Sequence, residues 1–178
     1  MNLPDINISN ILYPTDLSEN ARYAFAYAVS LADMYQAKIT ILHVMPEEQK
    51  LLEINVSGYI KPDKWDEIKK SHYQQTRESL IGKQRDHLLI RKVLDHFSEN
   101  AFNGRELDPV HEIIIERGNP VREILRQSEE QHCDLVIMGS RGHSTLADVM
   151  MGSITKRVLR RSKIPVLVVR LPEEESLQ

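Results

Sequence analysis

The sequence predicts an α/β fold: an open, doubly wound sheet of five parallel strands with helices on both faces. Two observations carry this prediction. Short apolar runs alternate along the chain with stretches of helical periodicity, the order that builds parallel strands joined by helical crossovers. Several of the runs, among them "KITILHVM" at 38–45 and "CDLVIMGS" at 133–140, are apolar at consecutive positions, as in strands covered on both faces.

Each element follows from local signals. Ile8, Ile11 and Leu12 form a first strand that stops at Pro14-Thr15-Asp16. Ala21, Ala24, Phe25, Ala28, Ala32 and Tyr35 then recur at helical spacing, with Ser18 placed to cap the helix and Glu19 to favour its dipole. Lys38 to Met45 is a second strand, ended by Pro46. A third, "DPVHEIIIE", spans Asp108 to Glu116. In "GNPVREILRQSEEQHC", Asn119 caps a helix, Pro120 occupies its first turn, and Val121, Ile124 and Leu125 share one face. "CDLVIMGS" is a fourth strand; Met151, Ile154, Val158 and Leu159 mark a last helix, and "IPVLVVRL" closes the sheet.

The segment from Glu47 to Gly104 is less regular. A single helix from Asp63 to Phe97 would reach ~50 Å, against about 40 Å for the whole domain. Gly82 is the expected break. A single domain over 1–172 is expected, with a helical insertion or extended helix inside 47–104 and an acidic tail at 173–178.

Composition narrows the function classes. The net charge of −3 offers no polyanion-binding surface, so no nucleic-acid partner is expected. Cys133 is the only cysteine, which excludes an intrachain disulfide and fits a reducing cytoplasm. The first residues carry no basic or apolar region of a secretory signal, and no apolar run is long enough to span a bilayer.

In open parallel sheets ligands bind beyond the carboxyl ends of the strands, near the switch in winding. Three exits face that rim: after Tyr13, after Val44 and after Met138. At the third, Gly139 and Gly142 bracket a turn in which main-chain N–H groups can converge, and Gly152-Ser153 opens the next helix. Ser153 adds a hydroxyl that can cap that helix. By spacing alone, a phosphate cradle and a plain turn are evenly balanced.

The spacing G-x2-G-x9-G-S, filled by Gly139, Gly142, Gly152 and Ser153, resembles the nucleotide-binding signature of the universal stress proteins. "ILYPTDLSENARYAFAYAVSLA", "AKITILHVM", "ERGNPVREIL", "CDLVIMGSRG" and "GSITKRVLRRSKIPVLVVR" resemble that family's elements in order, over Ile8 to Met45 and Val110 to Arg170. The resemblance implies an adenine nucleotide as ligand, ATP or its AMP or ADP relatives, with or without Mg. It places Pro14, Thr15 and Asp16 beside the nucleoside, Asp16 as acceptor near base or ribose. Val44 would offer its main chain to the adenine edge, and Met138 and Gly139 would lie by the ribose. Gly142, Gly152, Ser153 and Ile154 would cradle the phosphates, with Thr155 beside them; Arg141, a cation within the glycine segment, is in reach of a phosphate or else an exposed residue that meets only water. The resemblance further implies a homodimer paired through the closing strand, 165–170. The long 47–104 segment departs from the family pattern.

Other residues have plainer readings. His43 is expected to be a hydrogen-bonded structural residue, Cys133 a small hydrophobe, and Asp134 a turn or cap residue. Lys156, Arg157, Arg160 and Arg161 read as a solvated helix face, and His143 as an exposed loop residue. The chain has no G-x-S-x-G elbow, no G-x-x-x-x-G-K-[ST] loop and no nucleophile–base pair, so strong catalysis is unsupported and only slow ATP hydrolysis is left open. A phosphoacceptor receiver domain would need an Asp where Gly139 stands. An adenylating enzyme would need a Ser/Gly-rich loop in place of "YPTDLSEN". A ligand-free scaffold acting through protein contacts remains the alternative to nucleotide-dependent signalling in a stress response.

Overall fold

The computed structural model describes residues 3, 5–47, 59–75, 82–101, 110–142 and 151–171. In chain order the elements are β1 (Asn10–Thr15), α1 (Glu19–Tyr35), β2 (Lys38–Met45), α2 (Pro62–Gln75) and α3 (Gly82–Ala101). They are followed by β3 (Val110–Arg117), α4 (Pro120–Glu130), β4 (Leu135–Gly139), α5 (Ser153–Arg161) and β5 (Val166–Val169). All neighbouring strands are parallel, in the order β3-β2-β1-β4-β5. The chain winds outward from β1 through β2 to β3, then restarts on the other side of β1, so the winding switches between β1 and β4.

Consecutive strand residues serve opposite cores. Ile11, Tyr13, Ile39, Ile41, Ile113, Ile115, Leu135 and Ile137 pack on one face with α1 and α3. Leu12, Leu42, Val136 and Met138 pack on the other with Val121 and Ile124 of α4 and Val158 of α5. Each such side chain, fully buried, contributes about 1.5–3 kcal/mol, which is why the central strands β1, β2 and β4 are mostly apolar.

The helix starts form as expected in two cases. The Ser18 hydroxyl accepts from Ala21 N–H at 3.2 Å and Asn119 Oδ1 from Arg122 N–H at 3.2 Å. The third differs: Gly152 is the cap residue of α5, without a side-chain bond, and Ser153 is its first helical residue. Helix α2 ends at Gln75 and α3 starts at Gly82, the expected break, with residues 76–81 outside the described residues.

The first strand also extends further than expected, through Pro14 to Thr15. The Asn10 carbonyl accepts from Asp134 N–H at the foot of β4, and the Ser9 carbonyl from Lys38 N–H of β2. Even-numbered β1 residues therefore address β4. Pro14 falls on that side, past the last β1–β4 pair, Leu12–Val136. Its missing N–H is thus not needed by the ladder, and the two strands part there at the switch point. Asp134 does more than turn the chain, since its Oδ2 accepts from Ser9 and Asn10 N–H at 2.8 and 2.9 Å and fixes the start of β1.

Candidate functional site

The crevice at a switch point is where an open parallel sheet offers main-chain groups that no neighbouring strand uses. Here its walls are the β1–α1 turn on one side and the β4 exit with the start of α5 on the other.

The β1–α1 turn is held by three nested bonds. Thr15 Oγ1 accepts from Leu17 N–H at 3.0 Å, Asp16 Oδ1 from Ser18 N–H at 3.0 Å, and the Ser18 hydroxyl caps α1. Leu17 is fully buried at a φ of +66°, a left-handed conformation that a bulky side chain adopts only under constraint. The Thr15 carbonyl lies 2.9 Å from His43 Nδ1, which gives His43 the structural role expected of it. Asp16 is exposed at the rim.

On the facing wall, the β4 exit and the start of α5 are tied together. The Gly152 N–H donates to the Ser140 carbonyl at 2.8 Å, and the Thr155 hydroxyl to the Gly139 carbonyl at 3.0 Å. Ser140 N–H in turn donates to the Val169 carbonyl at 2.7 Å. The start of α5 is thereby pinned to the β4 exit. First-turn amides of a helix have no carbonyl of their own to bond, and carry the positive end of its dipole.

The glycines bring the walls together. A Cβ on Gly139 would lie 2.7 Å from Asn20 Oδ1 and 3.2 Å from Ala21 N, so the β4 exit fits the first turn of α1 only without a side chain. A Cβ on Gly142 would fall on the Asp16 carboxylate. Asp16 and the loop after β4 are thus in contact across the crevice.

The other expected residues distribute unevenly around this rim. The β1–β2 register ends at Thr15–His43, so Val44 lies one residue beyond it, and by the ladder's alternation its main chain faces the β1 side. Pro14 and Met138 are buried, Met138 in the core shared with α4 and α5, so only their main chains can reach a ligand. Thr155 is buried and its hydroxyl is committed to Gly139, whereas Ser153 and Ile154 are exposed at the helix start. Arg141 is half-buried in the loop. His143 lies outside the described residues. Lys156, Arg157, Arg160 and Arg161 are all exposed, a solvated face as expected.

Three contributors carried no motif signal. Asn20 is buried under Gly139, and its Nδ2 donates to Ser140 Oγ at 3.4 Å. Ser140 is buried, its carbonyl taking the Gly152 N–H and its own N–H going to the Val169 carbonyl. Tyr59, from the long intervening segment, reaches Thr15 Oγ1 at 2.7 Å. Among the described residues no group of three or more His, Cys, Asp and Glu is placed to hold a metal ion. No described helix is long and apolar enough to cross a membrane.

The model of the universal stress protein family matches residues 7–170, which takes in every element from β1 to β5. The chain belongs to the universal stress protein family. This universal stress protein is 32% identical to YxiE of Bacillus subtilis, over 91% of its own length and 99% of the relative's. It is 30% identical to universal stress protein MJ0577 of Methanocaldococcus jannaschii, over 90% and 93% of the two chains. The solved structure of MJ0577 superposes with a TM-score of 0.58 at 27% identity, covering 94% of this chain and 99% of that one. The fold is shared with UspA of Lactobacillus plantarum, at a TM-score of 0.66 and 22% identity over 93% and 100% of the chains. It is shared too with a universal stress protein solved in complex with cAMP, at 0.55 and 23% over 92% and 98%.

Proposed function

We propose that the rim between β1 and β4 binds an adenine nucleotide, ATP first among them, with or without Mg, and that occupancy shifts the protein's conformation or assembly in a stress or signalling response. The observation that carries this reading is the convergence at one crevice of Asp16, the glycine loop and the pinned start of α5. The two walls suit the two ends of a nucleotide. Exposed Asp16 is an acceptor for a ribose hydroxyl or base amine. The Gly142, Ser153 and Ile154 amides are donors suited to phosphate oxygens; Gly152, whose own N–H is given to the Ser140 carbonyl, serves instead by keeping the approach to the helix start free of a side chain. The Val44 main chain, at the adjacent strand end, suits the edge of a base. A family member of the same fold has been solved in complex with cAMP, another adenine nucleotide. No residue is assigned a catalytic role, and the single cysteine fits a cytoplasmic protein.

Binding can shift an equilibrium only by differential affinity for its two states, and a dimer supplies such states. Val166, Leu167 and Val168 are only half-buried on the edge strand β5, and an apolar edge is a surface for pairing with a second copy. We include a homodimer through 165–170 in the proposal; a monomer by light scattering at micromolar concentration contradicts it.

The test is to analyse nucleotide in the purified protein and then titrate ATP against wild type and Gly152→Val, with thermal melts of both. A branched side chain at the start of α5 should obstruct phosphate approach. Binding by wild type and loss in a folded Gly152→Val protein is the expected result. Equal binding by both displaces the site, and binding by neither favours the ligand-free scaffold.

A further inference from the structure

Tyr59 and Ile60, buried immediately before α2, seat the intervening segment against the face of the sheet that carries α1. The Tyr59 ring lies 4.3 Å from that of Phe97 on α3; Phe97 stands 5.0 Å from Phe25 of α1, and Phe25 4.9 Å from Tyr13 of β1. Four rings from four parts of the chain thus form one aromatic row.

A row of hydroxyls runs beside it, and its hydrogen-bond direction can be deduced. Leu17 N–H donates to Thr15 Oγ1 at 3.0 Å. At the other end the Ala21 carbonyl can only accept, so it takes the Tyr13 proton, at 2.6 Å. Each hydroxyl has one proton to give. Tyr13 Oη must therefore accept from Tyr59, at 2.5 Å, and Tyr59 Oη from Thr15, at 2.7 Å. The chain reads Leu17 to Thr15 to Tyr59 to Tyr13 to Ala21, with every proton used. Burial pushes both tyrosine hydroxyls well above their ordinary value, so both remain protonated donors.

Tyr59 is the middle link and the only one from outside the continuous β1–turn–α1 segment. We propose that Tyr59 is a positioning residue for the rim: its hydroxyl fixes Thr15 and hence the strained turn at Leu17 and Asp16, coupling the docking of the α2–α3 segment to the shape of the site. Without it the Thr15 proton loses its acceptor and the Tyr13 oxygen its donor, both in a buried setting where an unmade bond is costly. Thr15 is then free to turn, and the support of the Leu17 amide goes with it. By linkage, a ligand that needs the ordered turn also favours the docked segment. The ligand part rests on the nucleotide reading above.

The test compares wild type with Tyr59→Phe, which keeps the ring and removes the hydroxyl. Val93→Ala, a cavity in the same core on α3, controls for loss of stability alone. Amide hydrogen exchange is read without ligand, and ATP affinity by calorimetry. In Tyr59→Phe, exchange at Leu17 and Ser18 is expected to quicken at least about fivefold, with α4 amides unchanged, and ATP to bind about tenfold more weakly. Val93→Ala should leave both readings near wild type. Unchanged exchange at Leu17 and Ser18 in Tyr59→Phe overturns the proposal, as does the same response in Val93→Ala. Quickened exchange with unchanged ATP affinity overturns the coupling to the site. If wild type binds no ATP, the nucleotide reading falls by itself, and the exchange comparison still decides whether Tyr59 holds the turn.

Discussion

The Asp16 carboxylate stands where a Cβ would be if residue 142 were anything but glycine. The contact joins the turn after β1 to the loop after β4. It gives Gly142 a structural reason that does not depend on any ligand. Gly139 has a similar reason in Asn20 and the α1 main chain. Gly139 and Gly142 therefore bring the two walls of the rim together.

The two glycines should respond differently to alanine. At Gly139 the added methyl meets buried Asn20 and the Ala21 main chain, neither of which can swing away, so Gly139→Ala should lose about 1–3 kcal/mol of stability. At Gly142 it meets an exposed carboxylate that can rotate. Gly142→Ala should cost less than about 1 kcal/mol while displacing Asp16 from Ser18 N–H and weakening nucleotide binding. Denaturant melts paired with ATP titration separate the two effects. Equal loss of stability in both variants contradicts this view of the rim.

Thr155→Val tests the pin between α5 and β4. The shape is kept, but the buried Gly139 carbonyl loses its hydroxyl donor, for an expected loss of about 1–3 kcal/mol. Thr155→Ser, which keeps the donor, should retain most of the stability. A Val variant as stable as wild type in urea would show that the bond contributes nothing.

Glu123 supplies a pH prediction away from the rim. It is buried on α4, accepting from Arg126 Nε at 2.7 Å and Arg122 Nε at 3.0 Å. Burial pushes its carboxyl up, and the bonds from Arg126 and Arg122 more than reverse that, so it ionises below its ordinary 4.5. A depressed carboxyl stabilises the fold above its unfolded value and loses that contribution as pH falls through the folded one. Arg122 is largely exposed, so solvent screens its share and most of the effect rests with Arg126. Glu123→Gln should be less stable than wild type at neutral pH, and the gap should close below pH 4.5. A gap independent of pH contradicts the assignment.

Cys133 should be inert in the native protein. Burial, then the charge of Asp134, pushes its thiol up to about 11. At pH 8 only about one thiol in a thousand is then ionised. A disulfide reagent should react slowly with native protein and quickly after unfolding; fast native reaction would show an accessible thiolate.

The fold was legible because its central strands are buried on both faces. Runs such as Ile39–Leu42 and Leu135–Gly139 have no solvent face to confuse their pattern, and Ser18 and Asn119 announce their helices by capping. Pro14 misled the reading of β1, because the sequence does not show that its missing N–H faces a strand that has already diverged. Ser153 misled in a smaller way, since glycine can cap without a side chain. Of the rim, Asp16 and the glycines were legible through their order along the chain. Tyr59 was not: it acts through a contact 44 residues distant in sequence, from a segment whose charge pattern signals only solvated helix. Asn20 was hidden likewise, an unremarkable helical residue until Gly139 is laid against it.

The most direct test of nucleotide binding at this rim is an ATP titration followed by the amide resonances of the whole chain. Saturable shifts are expected at Asp16–Leu17, Val44–Met45, Gly139–Gly142 and Gly152–Thr155, with α4 undisturbed. No saturable shift at millimolar ATP, or shifts that map to another surface, would contradict the account.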